Sequence, residues 1–316
     1  MSRYLVTGGA GFIGSHIAER LVREGHEVRI LDNLATGRKE NLDVVRAAGG
    51  AGRMEWMEGD VRSIETCRRA CDSVEFVLHQ AALASVPRSI ENPVDSTAVN
   101  VGGTVNVLTA AREAGARRVV CASSSSVYGD TPTLPKREDM PPQPMSPYAA
   151  SKLAGEYFVR VFAKTMGQPA VSLRYFNVYG PRQDETSQYA AVIPLFASAL
   201  FTGSRPRVFG DGTQTRDFTF IDDVVEMNLL ACTRGEGAGE AVNVARGDRH
   251  SLLRLLEILG ECVGVVPDPE FLPSRAGDVR DSQASVERAE TLFGFRAKTT
   301  FEEGLRRTVE YFRVAH

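Results

Sequence analysis

The sequence has few cysteines, almost no net charge and no long apolar run, and each absence argues against a class of protein. No run of about 18 apolar residues is present, so we expect no membrane-spanning helix. A net charge of −3 leaves no basic surface of the kind that binds nucleic acid. An odd, scattered set of five cysteines argues against a disulfide framework. The cysteines are Cys67, Cys71, Cys121, Cys232 and Cys262.

The sequence favours neither a metal site nor a signal peptide for export. Cys67 and Cys71 could share a helix face, but no second ligand pair lies nearby, so buried free thiols are favoured and no metal is expected. Met1 is followed by a predicted strand rather than by a charged region and an apolar core, so we expect a cytoplasmic location. The 316 residues suffice for one large or two closely joined domains.

A glycine motif follows the first predicted strand. Tyr4–Val6 is a short apolar run, and residues 7–14 read T-G-G-A-G-F-I-G before an amphipathic helix. In this context Gly8 allows a tight turn, Gly11 lets a pyrophosphate approach the backbone, and Gly14 lets the helix pack closely on the strand. The helix N-terminus favours phosphate binding, whereas a ligand-free tight turn is the alternative. We assign this motif's Gly8, Gly11, Phe12, Ile13 and Gly14 to a dinucleotide site.

Acidic residues end the next two predicted strands. Asp32 follows the strand Glu27–Leu31, about 20 residues after the glycine motif, where a carboxylate binds the adenosine ribose. The same carboxylate would repel a 2′-phosphate, so the cofactor is predicted to be NAD rather than NADP. Asp60 follows the strand Met54–Glu58 and could accept a hydrogen bond from the adenine amino group. Their neighbours Asn33 and Val61 are assigned to the same site.

The strands continue to alternate with helices, which predicts a doubly wound parallel α/β sheet of the Rossmann type. Glu75–Leu78 leads to the small residues Ala81 and Ala82, which could lie against a cofactor. Arg117–Ala122 leads to a serine cluster, and Ala170–Tyr175 is a sixth strand. Beyond it the alternation loosens, so residues 1–177 are predicted to form the NAD-binding domain and residues 178–316 a smaller substrate-binding α/β domain.

One helix carries a candidate proton-transfer group. In the segment 145–163, Ser146 is a plausible N-cap and Pro147 suits the first helical position. Tyr148 and Lys152 are four residues apart, so both emerge on one face. A nearby cation favours the phenolate, so we expect a lowered phenol pKa and a general base near neutral pH. A half-buried tyrosine beside a solvated lysine is the alternative.

With these residues in place, the chain resembles the nucleotide-sugar 4-epimerase branch of the extended short-chain dehydrogenase/reductase superfamily over nearly its full length. The resemblance is carried by Asp32, Asp60 and the motifs at 7–14, 124–129 (S-S-S-V-Y-G), 148–152 (Y-A-A-S-K), 174–181 (R-Y-F-N-V-Y-G-P), 215–223 and 275–280.

The resemblance implies a role for each site residue. Tyr148 is the base or acid at the sugar 4-hydroxyl, Lys152 binds the nicotinamide ribose and Ser124 binds the same hydroxyl as Tyr148. Tyr175 lies near the nicotinamide. The implied substrate-binding residues are Ser85, Arg88, Ser124, Ser125, Ser126, Tyr148, Asn177, Ala191, Val192, Arg216, Arg275, Asp278 and Ser282. Asn177, Arg216, Arg275 and Asp278 would hold the uridine diphosphate; alone, Arg216 or Arg275 would more simply be a surface salt bridge.

The implied reaction is inversion at C4 of a UDP-hexose through a transient 4-keto sugar that turns and takes the hydride back from NAD. Related dehydratases and decarboxylases carry an acid just after the position of Ser124, where this chain has Ser125 and Ser126, which argues against both. UDP-glucuronate 4-epimerases also carry a serine run and remain an alternative. A net 4-keto reductase and a catalytically silent NAD-binding regulator are further alternatives, although the chain keeps both Tyr148 and Lys152.

Two features are similar to epimerases that accept N-acetylated sugars. The segment 182–194 is similar to their loop, and Ser282 stands where epimerases restricted to glucose and galactose place tyrosine. We therefore expect interconversion of UDP-GlcNAc with UDP-GalNAc and also of UDP-glucose with UDP-galactose. The resemblance further implies a homodimer that pairs helices near 95–114 and 147–164.

Overall fold

The computed structural model describes residues 1–184, 191–273 and 279–315. In chain order the strands are β1 (Arg3–Thr7), β2 (Glu27–Asp32), β3 (Arg53–Glu58), β4 (Phe76–His79), β5 (Arg118–Ser124), β6 (Ala170–Tyr175), β7 (Val178–Tyr179), β8 (Arg207–Phe209), β9 (Thr215–Arg216), β10 (Thr219–Phe220), β11 (Ala241–Val244), β12 (His250–Ser251) and β13 (Glu270–Leu272). The helices are α1 (Phe12–Arg23), α2 (Lys39–Arg46), α3 (Ile64–Cys71), α4 (Val86–Glu91), α5 (Pro93–Thr97), α6 (Gly103–Glu113), α7 (Pro147–Thr165), α8 (Val192–Phe201), α9 (Ile221–Thr233), α10 (Leu252–Val263), α11 (Glu287–Phe293) and α12 (Phe301–Ala315).

The predicted doubly wound sheet is confirmed. Seven parallel strands lie in the order β11-β6-β5-β4-β1-β2-β3, so the strand order reverses between β1 and β4. Crevices at such a reversal, beyond the carboxyl ends of the strands, are where ligands bind in open α/β sheets. Although β11 belongs to the later part of the chain, it forms an edge of this sheet. The division of the chain at residue 177 remains a prediction.

Both faces of the sheet are covered. Every residue of β4 and of β6 is buried, which fits the continuously apolar strands of a parallel sheet between helices. Two groups of buried side chains lie on the opposite faces. One includes Ile17 of α1 and Val224 of α9, and the other includes Leu108 of α6 and Val159 of α7. The central strands are therefore held rigidly beneath the site.

The helix expected near residues 95–114 is interrupted. A π-helical turn, Ala98–Gly102, joins α5 to α6. In this turn Asn100 is buried and accepts a hydrogen bond from the backbone N–H of Leu83 at 2.8 Å. Since π-turns are common at functional sites, the interruption at the mouth of a cavity is informative.

The carboxyl-terminal part contains short strand pairs, β7–β10, β8–β13 and β9–β12, packed against α8, α10 and α12. Beside β10, the carboxylate of Asp217 accepts backbone N–H groups of Arg246, Gly247 and Ala284. The buried aspartate thereby ties three distant segments together, which a local sequence pattern does not reveal.

Candidate active site

A cavity of about 440 Å³, which we call the sheet cavity, opens at the carboxyl ends of the strands where the order reverses. Every residue assigned to the dinucleotide from the sequence lines it: Gly8, Gly11, Phe12, Ile13, Gly14, Asp32, Asn33, Asp60, Val61, Ala81, Ala82, Tyr148, Lys152 and Tyr175. The structure thus brings together residues that span more than half of the sequence.

The glycine turn leaves no room for side chains. Gly8 has φ +67°, and a Cβ there would lie 2.7 Å from the backbone nitrogen of Ala81. A Cβ on Gly14 would lie 2.2 Å from the carbonyl oxygen of Gly8, so Gly14 packs against the turn itself rather than against the strand. Gly11 is the N-cap of α1 and provides no side-chain cap. First-turn N–H groups are therefore left for an anionic ligand.

Asp32 is fixed by the backbone around it. Its side chain accepts hydrogen bonds from the N–H groups of Ala10 at 3.0 Å and Leu34 at 2.8 Å. Burial raises the pKa of this carboxyl, and the backbone hydrogen bonds oppose that change. Each oxygen keeps a further lone pair for a ribose hydroxyl.

The carboxylate of Asp60 is bound by two neighbouring side chains of the protein itself. It accepts hydrogen bonds from Arg62 at 2.7 Å and from Asn33 at 2.9 Å. The Arg62 guanidinium lowers the pKa of Asp60 to about 2. Arg62 itself lines the sheet cavity, and sequence reasoning missed it. The sequence could have indicated Arg62 through its position two residues after Asp60, the acid that follows β3.

The helix α7 begins as predicted. The Ser146 hydroxyl accepts the N–H of Ala149 at 3.1 Å, and Pro147 occupies the first turn. The ammonium of Lys152 donates to the carbonyl of Ala122 at 2.9 Å and lies 6.0 Å from the centre of the Tyr148 ring. Both side chains therefore reach the sheet cavity from one face of α7.

The expected lowering of the Tyr148 pKa is wrong for this arrangement. Burial raises the pKa of the phenol, and the hydrogen bond with Ser124 offsets only part of that effect. Burial also lowers the pKa of Lys152 to about 8. Desolvation outweighs the favourable charge because the ammonium is 6.0 Å from the ring centre and bound to a carbonyl. Lys152 is thus the member of the pair whose pKa lies close to neutral pH.

Hydroxyl groups surround the end of β5. Ser124 accepts hydrogen bonds from the backbone N–H of Ser126 at 3.2 Å and from its hydroxyl at 3.0 Å. The two residues after Ser124 begin a short 3₁₀ turn, Ser125–Tyr128. Hydroxyls therefore occupy the places at which dehydration would call for an acid.

The hydroxyl of Tyr175 lies 3.0 Å from both Gln80 and Asn228, whose side-chain oxygens can accept its proton. Burial raises the pKa of this phenol. The ring lines the sheet cavity while the hydroxyl is tied to α9, so Tyr175 offers its ring rather than its proton to a ligand. Sequence reasoning missed Gln80, which directly follows β4, and Asn228, which only the fold brings near.

A second cavity of about 290 Å³, the C-terminal cavity, holds other predicted substrate residues. Four predicted residues line it: Asn177, Ala191, Val192 and Arg216. Missed lining residues include Phe196, Arg207, Phe209, Gln214, Phe218 and Leu252. Little in the sequence indicated that these residues line a cavity, because aromatic residues in short strands are equally typical of a hydrophobic core.

The remaining predicted substrate-binding residues do not lie in one cavity. Arg88 lines the sheet cavity, whereas Ser85 caps α4 by accepting the N–H of Arg88 at 3.2 Å. Ser282 is buried and lies 3.3 Å from the amide nitrogen of Asn177. Arg275 and Asp278 lie outside the described residues.

Backbone carbonyls hold two polar side chains of the C-terminal cavity. Asn177 has φ +33°, which asparagine tolerates better than most residues, and it donates to the carbonyl of Asp217 at 2.8 Å. Arg216 donates to the carbonyls of Thr215 and Arg280, both at 2.9 Å. The Arg216 side chain is held at the cavity wall by these contacts.

Within the described parts of the chain, no group of three or more His, Cys, Asp or Glu is placed to hold a metal ion. Nor is any helix of those parts both long and apolar enough to cross a membrane.

Comparison with known proteins decides the family. Residues 4–245 match the NAD dependent epimerase/dehydratase family. The chain belongs to this family. It is 41% identical over 313 residues to UDP-glucose 4-epimerase of Mycolicibacterium smegmatis, covering 98% of each chain. The structure of UDP-N-acetylglucosamine 4-epimerase from Methanobrevibacter ruminantium, in complex with UDP-N-acetylmuramic acid, matches with a TM-score of 0.94 and 36% identity, covering 100% of this chain and 99% of that one.

The cofactor of this family member is NAD. The UDP-glucose 4-epimerase of Thermus thermophilus, solved as a complex with NAD, matches with a TM-score of 0.89 and 39% identity over 99% of this chain and 100% of that one. The sheet cavity fits a dinucleotide, because the glycine turn excludes any Cβ and the first turn of α1 is uncapped.

Proposed function

We propose that the protein is a UDP-hexose 4-epimerase that interconverts UDP-GlcNAc with UDP-GalNAc and UDP-glucose with UDP-galactose. One observation carries the proposal: Tyr148 and Lys152 line the same cavity as the glycine turn and Asp32. A tyrosine suited to proton transfer, in the same cavity as a dinucleotide site, supports this reaction. The names of the similar proteins support the same substrate class.

In the proposed reaction Tyr148 takes the proton of the sugar 4-hydroxyl and, after the 4-keto sugar has turned, returns a proton to the oxygen on C4 while the hydride is returned to the opposite face of C4. NAD, when bound, supplies the reversible hydride acceptor. Lys152, protonated below pH 8 or so, stabilises the phenolate that forms, and Ser124 orients the hydroxyl. Because burial opposes a free phenolate, the phenol loses its proton only when a positive charge is close.

The substrate must be held by its nucleotide so that the 4-keto sugar can turn. We propose that Asn177 and Arg216 hold the uridine diphosphate in the C-terminal cavity, since a guanidinium can bind two phosphate oxygens at once. Arg275 and Asp278 are proposed for the same task from the resemblance alone. The sugar would lie towards Ser85, Arg88, Ser125 and Ser126.

Acceptance of a 2-acetamido group is proposed to depend on the small side chain of Ser282, which lies next to Asn177. Ser282→Tyr should depress turnover of the acetamido pair while sparing the plain hexoses, measured as kcat for both pairs. Ser282→Ala is the matched control. Equal loss for both pairs would remove the steric explanation.

The test of the whole proposal is incubation with a panel of UDP-sugars and no added cofactor, with products resolved at C4 by NMR. C4 epimers of UDP-GlcNAc and UDP-glucose are expected. Epimerisation of UDP-glucuronate alone would favour the uronate alternative, and a need for stoichiometric reductant would favour a 4-keto reductase. Bound NAD without any turnover would favour a silent regulator.

We also propose a homodimer. Three exposed apolar residues of α7, Tyr157, Phe158 and Val161, support a helical interface, and Ile90 and Val94 lie on the neighbouring α4 and α5. Tyr157→Glu should shift the mass measured by light scattering towards the monomer. A cytoplasmic location is proposed as well; all five thiols are free, which suits a reducing compartment.

A further inference from the structure

The environment of Arg182 is not explained by the proposed reaction. This residue follows β7 and has a backbone φ of +66°, which is unfavourable for a residue with a Cβ. Its side chain is only 5% exposed, which is uncommon for arginine. An unfavourable backbone and a buried charge both need a compensating contact.

Two of its three nitrogens anchor Arg182 to α1. Nη2 donates to the carboxylate of Glu19 at 2.6 Å, and Nε donates to Nε2 of His16 at 3.3 Å. The other ring nitrogen of His16 lies 2.9 Å from the carbonyl of Phe12, so it must carry the imidazole proton and leave Nε2 as the acceptor. Burial lowers the pKa of His16 to about 3, so the ring is neutral. The guanidinium is therefore fixed relative to the first turn of α1.

The third nitrogen, Nη1, is buried, and none of the described residues accepts its hydrogen bond. A second buried arginine ion pair, Arg174 with Glu156, shows the difference. Arg174 donates from Nε and Nη2 to Glu156 and from Nη1 to the hydroxyl of Tyr128. A buried charged donor without an acceptor is costly, so Nη1 of Arg182 indicates an unfilled contact.

The position of Arg182 points to the nature of that contact. Arg182 lines the sheet cavity together with Gly11 and Phe12 at the uncapped start of α1. Helix N-termini attract phosphate, and a guanidinium adds charge-assisted hydrogen bonds to the same group. Arg182 and the start of α1 thus both line the sheet cavity, and Arg182 also lines a separate cavity with His16 and Glu19.

We propose that Arg182 binds the pyrophosphate of the dinucleotide through Nη1 while Glu19 and His16 hold the rest of its guanidinium. The side-chain anchors and the ligand together stabilise the unfavourable backbone conformation. A residue that lies beyond the predicted NAD-binding domain, in the segment after β7, then contributes to retention of the cofactor throughout turnover. This inference rests on the NAD binding of the proposed function.

The test uses intact holoenzyme. It measures how fast labelled NAD leaves and which concentrations of ADP-ribose or adenosine displace it. In Arg182→Met, NAD should leave roughly 10- to 100-fold faster and the Kd for ADP-ribose should rise by a similar factor, as expected for a lost charge-assisted hydrogen bond. The Kd for adenosine, which has no pyrophosphate, should not change.

Arg23→Met is the matched control. Arg23 also pairs with Glu19, at 2.5 Å, but it does not line the sheet cavity, so NAD release should not change. An unchanged Kd for ADP-ribose in Arg182→Met, or equal weakening of adenosine, would overturn the proposal.

A second variant and the NAD content of the wild type complete the test. If the methionine variant does not fold, Arg182→Lys decides: release several-fold faster than wild type supports the fork-shaped contact, and unchanged release overturns it. Wild-type protein that holds no NAD would refute the proposed function itself, whereas a wild type that holds NAD beside an insensitive variant refutes only the role of Arg182.

Discussion

The sheet cavity and the C-terminal cavity are built in different ways. The sheet cavity is formed by the ends of central parallel strands, a glycine turn and one face of α7, and backbone atoms make up much of its wall. The C-terminal cavity is lined by residues of β7, β8 and β9, which belong to short strand pairs, and by residues of the helix α8. The difference suits a cofactor that stays and a substrate that exchanges. Variants should therefore separate cofactor retention from substrate affinity.

The largest effect is expected where the chemistry takes place. Tyr148→Phe removes the group proposed to transfer the proton, so kcat should fall by about 10²- to 10⁴-fold. NAD content and the Kd for UDP-sugar should change little, because neither cavity loses a wall. Tyr157→Phe, on the exposed side of the same helix, is the control and should retain activity. More than a tenth of wild-type kcat in Tyr148→Phe would contradict the assignment.

The next largest effect is expected on NAD affinity, through a change in the wall of the sheet cavity. In Gly14→Ala the new Cβ would lie 2.2 Å from the carbonyl oxygen of Gly8, so the turn must shift. We expect the Kd for NAD to rise on the order of 10- to 100-fold, since overpacking costs about 1–3 kcal/mol. Affinity for UDP-sugar should be retained.

Gly102→Ala is the matched control for the glycine turn, because no atom lies within 4 Å of its added Cβ. Equal loss of NAD from both glycine variants would show that the effect is general destabilisation.

A smaller effect is expected on KM for the UDP-sugar, through a change in the C-terminal cavity alone. Arg216→Met removes a guanidinium proposed to bind the diphosphate, so KM for the UDP-sugar should rise about 10-fold. NAD release should not change. Arg205→Met, which lies outside the cavity and loses exposed contacts with Asp268 and Pro269, should leave both quantities near wild type. Faster NAD release in Arg216→Met would break the separation between the cavities.

The smallest effect is a pH dependence. Because burial lowers the pKa of Lys152 from 10.5 to about 8, its charge is present below that value and is lost as the pH rises through it. If the ammonium stabilises the Tyr148 phenolate, kcat should fall about fourfold between roughly pH 7 and 8.5. Ser124→Ala should lower kcat without moving the midpoint. A pH-independent kcat across this range would contradict a role for the Lys152 charge.

The same comparison explains how far the sequence was informative. The glycine turn, the acid after β2 and the start of α7 depend on local geometry, so their spacing predicted both structure and position. Gln80 with Asn228, Arg182 with Glu19, and the aromatic wall of Phe209 and Phe218 depend on contacts between distant segments, which no local pattern contains.

The sign of the Tyr148 pKa shift could not be read from the sequence either. It depends on how deeply the phenol is buried and on where the ammonium points, and the spacing of two residues fixes neither.

The central claim is that the hydrogen on C4 is removed and returned within one active site. It is tested most directly with UDP-glucose carrying deuterium at C4, incubated without added cofactor and analysed by NMR. The account predicts UDP-galactose that retains the deuterium at C4, with no exchange into solvent. Loss of the deuterium to water would contradict it.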